Sequence, residues 1–350
     1  MKVALDAMGG DLAPREQVQG AILAAKEFGI EVALVGPPDI VEPELRKHPK
    51  NPRVALVPAG DAITMDEDEV VKAVRTRRDA SINVATSMVK SGEAAAVVSA
   101  GNSGAVWTSA FFNLGRIPGV ERPALGAVLP YNEGRVFLID AGANVDCRPS
   151  HLLQFAKMGA AYMENVLGTS NPRVGLLNVG EEAGKGSELA VEAFDRIKES
   201  GLNFIGNVEG VNIHKGICDV VVTDGFTGNV ALKAGEGVAD YILEQVRSVI
   251  KSSPLFISAA ILLKPALRRV LGRLQYEEYG GGNLLGVNGI VVVAHGRADA
   301  IAIKNALRLA STAAGSNLLP VMRDSFAREA PSSSDDPGSE KEEEPSAAGR

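Results

Sequence analysis

Cysteine and histidine are scarce in this sequence, and neither residue shows the spacing of a metal site. The 350 residues include two cysteines, Cys147 and Cys218, which lie far apart and have no paired spacing. This argues against a disulfide framework and a cysteine zinc site, and it fits a reducing cytoplasm. The four histidines form no H-x-x-x-H or similar pattern, so metal ligation is not indicated. We therefore expect no metal and no other cofactor.

Long apolar runs and an excess of positive charge are also missing. No stretch reaches the roughly 20 apolar residues of a membrane-spanning helix, and no basic segment followed by an apolar one indicates a secretory signal. Of the net charge of −7, residues 331–350 supply −4, from six acids against two bases, which leaves −3 for the rest. That balance does not suit nucleic acid. Residues 327–350 are predicted to be a disordered acidic tail, because they almost lack large apolar side chains.

Strand-like and helical segments alternate along most of the chain. This pattern is typical of βαβ units, and it predicts an open, largely parallel α/β sheet flanked by helices, with residues 1–326 as a single elaborated domain. Strands are predicted at Lys2–Asp6, Glu31–Gly36, Arg53–Pro58, Ala94–Ser99, Leu125–Leu129, Arg135–Asp140, Arg173–Asn178, Asn203–Glu209, Asp219–Thr223 and Gly289–Ala294. Helices are predicted within Pro14–Phe28, Asp66–Arg77, Ser81–Ser91, Gly104–Leu114, Pro149–Leu167, Ser187–Ser200, Asn229–Lys251 and Arg297–Ala313.

Several strand-like runs break off into glycine, asparagine and acidic residues. The breaks are KVALDAMGGD, AAAVVSAGNSG, VFLIDAGANVD, VGLLNVGEEAGKG, CDVVVTDGFTGN and, less clearly, LQYEEYGGGNLLGVNG. In an open α/β sheet the ligand crevice lies outside the carboxyl ends of the strands. Small residues there let backbone N–H groups approach an anion, and a following helix adds its positive N-terminal end. The loops therefore predict an enzyme that handles phosphate.

The sequences of these loops closely resemble those of the bacterial phosphate acyltransferases of phospholipid synthesis. The motifs that carry the resemblance are MKVALDAMGGDLAP, VVSAGNSGA, LIDAGAN, NVGEEAGKGSE, TDGFTGNVALK and GGNLLGVNG, in order over residues 1–326. The resemblance implies a fold like that of isocitrate and isopropylmalate dehydrogenases. It also implies conversion of acyl-acyl-carrier-protein and inorganic phosphate into acyl phosphate, which a separate membrane enzyme passes to glycerol 3-phosphate. Members of the family look like homodimers that attach peripherally to the membrane.

Lys185 and Asn229 are the best catalytic candidates. Lys185 lies between a predicted strand and a predicted helix, where its ammonium group would meet a phosphate near the helix N-terminus. The segment is not a nucleotide P-loop, because Lys185 is followed by glycine and the glycine spacing differs. Asn229 opens a predicted helix, where its amide could donate to an oxyanion or simply cap the helix. Both match the positions of the lysine and asparagine that the family resemblance implies to be catalytic.

Other loop residues are candidates for binding phosphate or substrate. The AGNSG turn offers successive N–H groups and polar side chains where a strand ends and a helix begins. A tight turn that binds nothing would have the same composition. The candidates are Gly101, Asn102, Ser103, Gly104, Asp6, Asp140, Asn178, Asp224, Thr227 and Gly228. Asp224 could also orient Lys185 or Asn229.

The sequence shows no activated nucleophile. Cys218 opens an apolar run that is expected in the core, and Cys147 has only the adjacent Arg148 to lower the pKa of its thiol, which is weak support for catalysis. No serine lies in a G-x-S-x-G motif with an ordered acid and histidine after it. Direct attack of phosphate on the thioester needs no enzyme nucleophile, and it is therefore the favoured mechanism.

A protruding helical arm is predicted at about residues 240–275, and its role has two interpretations. Its apolar residues are Leu255, Phe256, Ile257, Ile261 and Leu262, followed by the basic Lys264, Arg268, Arg269 and Arg273. The arm could dip into a membrane interface with its bases facing anionic lipid. It could instead pack against its copy in a dimer, which would bury the same apolar side chains. The family resemblance favours the membrane.

Two further functions remain open at this point. A decarboxylating NAD-dependent hydroxyacid dehydrogenase would share the implied fold, and the absence of G-x-G-x-x-G counts for little because that fold binds its nucleotide without this motif. A noncatalytic membrane-docking scaffold built on the arm is the other, and it predicts that changes at Lys185 have no effect.

Overall fold

The computed structural model of the chain describes residues 1–131, 134–263 and 280–327. The strands are β1 (Lys2–Asp6), β2 (Glu31–Gly36), β3 (Val54–Pro58), β4 (Ala96–Ser99), β5 (Ala124–Tyr131), β6 (Gly134–Ile139), β7 (Val174–Asn178), β8 (Phe204–Glu209), β9 (Val220–Val222), β10 (Gly282–Leu285) and β11 (Ile290–Val293). The helices are α1 (Arg15–Phe28), α2 (Pro38–Leu45), α3 (Val70–Thr76), α4 (Ser81–Ser91), α5 (Ser103–Asn113), α6 (Pro149–Asn165), α7 (Glu188–Lys198), α8 (Gly225–Lys251), α9 (residues 254–263 in the described part), α10 (Ala300–Gly315) and α11 (Leu318–Ala327), with a 3₁₀ helix at Gly210–Lys215.

The described strands form one eleven-stranded sheet in the order β3-β2-β1-β4-β11-β10-β5-β6-β9-β7-β8. The first five strands of this order are mutually parallel, and so are the last four. Between them, β10 and β5 pair antiparallel with each other and with their outer neighbours. The two parallel halves therefore run in opposite directions. The expected open, largely parallel sheet flanked by helices is confirmed.

The register of the central strands brings the carboxyl ends of both halves to the same level. Ser99, the last residue of β4, pairs with Val293, which pairs with Gly282, then Ala127, then Leu138. Leu138 is one residue from the end of β6. With a spacing of about 4.8 Å between neighbouring strands, the two strand ends lie about 19 Å apart across the sheet. The crevice predicted at the strand ends is thus bordered by two sets of ends that approach from opposite directions.

Alternation along the strands divides the core between the two faces of the sheet. Val3, Leu5 and Val98 belong to one buried cluster, whereas Ala4 and Val97 belong to another. Helices α1, α6 and α10 pack on the first cluster, and α4 and α5 pack on the second. Burial on both faces explains why these strands are apolar at nearly every position.

Most predicted elements are present, and the exceptions have local causes. All ten predicted strands are found, whereas β10 was not predicted because it has only four residues and begins with the last glycine of a run of three. Helix α8 begins at Gly225 rather than at the predicted Asn229. Its N-cap is Asp224, whose side chain accepts from the Thr227 N–H, so the glycines at 225 and 228 lie inside the helix.

The predicted arm falls partly within the described residues. Over residues 240–263 every side chain is exposed or half-buried. The remainder of the predicted arm, including Lys264, Arg268, Arg269 and Arg273, lies outside the described residues, as does the predicted tail after Ala327. Among the helices that the structure describes, none has the length and apolar character needed to cross a bilayer.

Candidate active site

A large open cleft lies between one face of α8 and the loops that follow β4 and β11. Helix α8 contributes Asn229 near its start, and the loops contribute Gly101, Ser103 and His295. Gly142, from the loop after β6, also lines the cleft. Loops from both parallel halves of the sheet therefore meet at one site, as the register of the central strands requires.

The AGNSG turn presents only part of its polar groups to the cleft. Gly101 and Ser103 line it. The Asn102 carboxamide instead caps α5, because its oxygen accepts from the N–H groups of Gly104 at 2.9 Å and Ala105 at 3.2 Å. Its Nδ2 donates to the Met65 carbonyl at 3.1 Å. Asn102 therefore shapes the turn, and its side-chain hydrogen bonds are already used.

Asp6 lies behind this turn rather than in the cleft. Its carboxylate is buried and accepts from the Ser99 hydroxyl at 2.7 Å and from the Met8 N–H at 3.2 Å. Burial raises the pKa of Asp6, although these hydrogen bonds act to lower it. Gly9 is required here, because an added Cβ would approach the Gly101 nitrogen to 2.7 Å. Asp6 thus ties the loop after β1 to the loop after β4.

Asp140 holds the loop after β6 in a comparable way. It is fully buried and accepts five hydrogen bonds, from the N–H groups of Leu125, Gly142, Ala143 and Asn144 and from the Asn144 amide, at 2.7 to 3.1 Å. Burial raises the pKa of Asp140, while the donors act to lower it. The carboxylate therefore stabilises the loop that places Gly142 in the cleft.

Asn229 lies in the second turn of α8 and lines the cleft beside Gly142. An ideal Cβ on Gly142 would lie 3.4 Å from the Asn229 Cβ and Cγ. The prediction that Asn229 opens the helix was wrong, and Asp224 is the cap. Asp224 accepts from the N–H of Thr227 at 2.8 Å and from its hydroxyl at 2.7 Å. The side chain of Asn229 is thus not needed to cap α8.

Lys185 lies on the loop between β7 and α7 and is not among the described residues that line the cleft. Its side chain is 57% exposed, and its ammonium lies 3.7 Å from the carboxylate of Glu182, which is 69% exposed. Asn178 supports the loop, because its amide donates to the Lys185 carbonyl at 2.8 Å and its oxygen accepts from the Val179 N–H at 2.8 Å. The hydrogen bonds of Asn178 therefore shape the loop.

The cleft also contains charged side chains that the sequence interpretation missed. Those on α8 recur at helical spacing after Asn229, which was the signal available in the sequence. The missed residues are Lys233, Glu236, Asp240, Glu244, Arg247, Lys251, His295 and Arg297. Burial raises the pKa of Glu236, although His295 and Lys233 act to lower it. One wall of the cleft therefore carries both signs of charge, with cations at both ends of the α8 stripe.

The two cysteines are poor nucleophiles in this environment. Burial raises the pKa of the Cys147 thiol to about 12, with further increases from Asp140 and Asp224. Burial raises the pKa of the Cys218 thiol to about 12 as well, and Cys218 is 1% exposed in the core. Because the thiolate is the reactive form, both thiols are inert near neutral pH. The described residues contain no cluster of three or more potential metal ligands.

The apolar residues predicted for the arm are all exposed. Leu255 is 72% and Leu262 is 83% exposed, and Phe256, Ile257 and Ile261 are also exposed. They lie on α9 and are not among the described residues that line the cleft. An exposed group of large apolar side chains of this kind marks a contact surface.

Comparison with known proteins places the chain in a family. The model of the family "Fatty acid synthesis protein" matches residues 1–320. A phosphate acyltransferase of Heliobacterium modesticaldum is 48% identical over 326 residues, covering 93% of this chain and 97% of the relative. One from Nostoc punctiforme is 48% identical over 322 residues, covering 91% and 94%.

Solved structures support the fold. A phosphotransacetylase from Streptococcus pyogenes superposes with a TM-score of 0.59 at 17% identity, covering 90% of this chain and 94% of that protein. The EutD phosphotransacetylase from Staphylococcus aureus gives 0.58 at 16% identity, with the same coverage. At this identity the likeness concerns the fold alone. The sequence relatives decide the family: the chain belongs to the fatty acid synthesis protein family and, within it, to the phosphate acyltransferases.

Proposed function

We propose that the protein forms acyl phosphate from acyl-acyl-carrier-protein and inorganic phosphate by direct attack of phosphate on the thioester. The observation that carries this proposal is the cleft, which offers an amide donor and several cations, while burial raises the pKa of both thiols of the chain. A reaction that proceeds through an acyl-cysteine would need a thiolate. Direct displacement needs a held phosphate and a stabilised oxyanion, which these side chains can supply.

In this reaction a phosphate oxygen attacks the thioester carbonyl carbon, and the carbonyl oxygen becomes an oxyanion. Collapse of the tetrahedral intermediate breaks the C–S bond and releases the carrier as a thiolate, while the new C–O bond remains in the acyl phosphate. The Asn229 amide donates to the oxyanion. Gly101 and Ser103 present the strand-to-helix turn to the phosphate.

Lys185 neutralises phosphate charge in the proposed mechanism, and this requires its ammonium to leave Glu182. Breaking the ion pair with Glu182 costs little free energy, because both side chains are more than half exposed and water screens the 3.7 Å interaction. Lysine suits the task as a compact charge on a flexible stem. The loop that carries Lys185 therefore supplies the cation from outside the cleft.

The carrier-bound substrate fits the charges on α8. Lys233, Arg247 and Lys251 lie along the cleft face of the helix over 18 positions, or about 27 Å at 1.5 Å per residue. Glu236, Asp240 and Glu244 lie between Lys233 and Arg247 on the same face, so Arg247 and Lys251 at the far end of α8 form the cationic patch that is proposed to attract an acidic carrier protein.

We also propose that the protein is a homodimer in which the outer face of α8 contacts its copy. Phe226, Val230, Val238, Tyr241 and Val249 recur at helical spacing on α8, and each is more than half exposed. Only Gly225 and Gly228 of this 27-residue helix are buried. A second chain is the partner that would cover this face, since an apolar stripe on a long helix is rarely left in water.

The exposed α9 residues are proposed to attach the protein peripherally to the cytoplasmic surface of the membrane. Acyl phosphate would then be released next to its acceptor enzyme, the membrane glycerol-3-phosphate acyltransferase. Apolar side chains on a short helix can enter the interface without spanning the bilayer.

The direct test is an assay for acyl phosphate, trapped as hydroxamate, after incubation of the protein with palmitoyl carrier protein and phosphate. Palmitoyl-coenzyme A serves in parallel as the alternative donor. We expect acyl phosphate to form from the carrier thioester and to depend on phosphate. Absence of acyl phosphate with both donors contradicts the proposed reaction, whereas activity with coenzyme A alone contradicts the carrier substrate.

A further inference from the structure

We propose that Asn207 is a positioning residue that fixes the main chain of Lys185, a role that rests on the function proposed for Lys185. Asn207 lies in β8 and is not one of the candidate residues identified from the sequence. It is 7% exposed and does not line the cleft. Its effect on the reaction is therefore indirect.

The connection runs through the Glu182 carbonyl oxygen. This oxygen accepts from the Asn207 amide at 2.8 Å and from the Lys185 N–H at 3.1 Å. The Lys185 carbonyl in turn accepts from the Asn178 amide at 2.8 Å. Both backbone polar groups of Lys185 are thus linked to asparagines on the neighbouring strands β7 and β8. Gly186 permits the second link, since it has a φ of 101° and an added Cβ would overlap the Asn178 amide.

Asn207 is buried, and its amide donates to the loop that carries Lys185. Its Oδ1 is buried and has no hydrogen-bond partner among the described residues. A buried amide with an unpartnered oxygen destabilises a fold relative to an apolar side chain of the same shape. The bond that the amide donates to the Glu182 carbonyl is therefore the contact that distinguishes asparagine from an apolar side chain in this position.

The loop needs this support because the Lys185 side chain is itself held only weakly. Its ammonium makes a long ion pair with an exposed partner, so the path of the backbone determines where the charge can reach. Catalysis is sensitive to such placement, and a displacement of about 1 Å can cost about 100-fold in rate. Asn207 therefore restricts the positions that the Lys185 charge can take.

Asn207→Leu removes the donor and keeps the approximate shape, and Asn203→Leu is the matched control. Asn203 immediately precedes β8, and its amide donates to the Asn171 carbonyl at 2.9 Å, at the end of the strand opposite the Lys185 loop. We expect Asn207→Leu to melt at or above the wild-type temperature, to exchange the Lys185 amide proton faster, and to lower kcat for acyl phosphate formation about 10- to 100-fold. Asn203→Leu should retain the wild-type rate.

A double-mutant cycle separates positioning from a general structural effect. In a Lys185→Ala background, Asn207→Leu should cause no further loss of rate. An equal loss in both backgrounds, or unchanged exchange of the Lys185 amide, overturns the positioning role. If Lys185→Ala itself has the wild-type rate while exchange still rises in Asn207→Leu, the function proposed for Lys185 has failed and the loop contact stands. Asn207→Ala, with the same expectations for amide exchange and for rate, replaces the leucine variant if that variant does not fold.

Discussion

The start of α8 packs so closely against the loop after β6 that Gly228→Ala should disrupt both stability and catalysis. An added Cβ would overlap the carbonyl oxygen of Asp140 and approach the Thr223 Cγ2 to 2.9 Å. Asp140 cannot yield, because its fully buried carboxylate is held by five hydrogen bonds. The helix must instead shift by about 1 Å to restore an ordinary contact. Such overpacking typically costs about 1–3 kcal/mol of stability.

The same shift carries Asn229, the next residue, away from the oxyanion that it is proposed to bind. A displacement of about 1 Å is expected to lower the rate about 100-fold. Thermal unfolding and the rate of acyl phosphate formation measure the two effects. Gly235→Ala is the control, since an added Cβ there has no neighbour within 4 Å and alanine favours a helix by about 0.5–1 kcal/mol. Wild-type stability and rate in Gly228→Ala would refute this reasoning. An equal loss in Gly235→Ala would show that the effect does not depend on the contact between Gly228 and Asp140.

Three other changes have defined outcomes. Asn229→Ala should fold normally by circular dichroism and lose about 10²–10³ in turnover, because one oxyanion donor is removed; near-normal turnover would exclude the assigned role. Cys147→Ala and Cys218→Ala should retain activity, and alkylation of either thiol in the folded protein should be slow at pH 7, because burial raises both pKa values to about 12; rapid modification at pH 7 would contradict this. Phe256→Ser with Ile261→Ser should abolish flotation with anionic vesicles and leave soluble activity intact; monomers in light scattering would instead indicate that α9 forms the dimer interface.

The sequence predicted the strands and most helices because their apolar pattern is set by burial on both faces of the sheet. It did not predict that the two halves run in opposite directions. That arrangement depends on the antiparallel pairing of β10 with β5 and β11, and β10 is a four-residue strand whose sequence, GNLL, carries little pattern. Pairing between segments so far apart in the chain is a property of the whole sheet.

The structure brings several of the predicted loops to one cleft, but the roles of single side chains in these loops could not be separated from the sequence. Asn102, Asp140 and Asp224 have the residue types that bind ligands at helix starts, and the same types cap helices and close turns. The structure shows that these three bind backbone N–H groups of their own loops. Lys233 and Arg247 were missed because charged residues on a long helix usually face solvent, so their residue types did not suggest a site.

The central claim is that phosphate attacks the thioester directly, and a rapid-quench single turnover tests it. The enzyme, in excess, is mixed with palmitoyl carrier protein labelled in the acyl group, with and without phosphate, and quenched in acid at successive times. The account predicts that the label stays on the carrier without phosphate and moves to acyl phosphate with it, and that no label is recovered on the enzyme. Label bound covalently to the protein, which forms without phosphate and is discharged when phosphate is added, would contradict it.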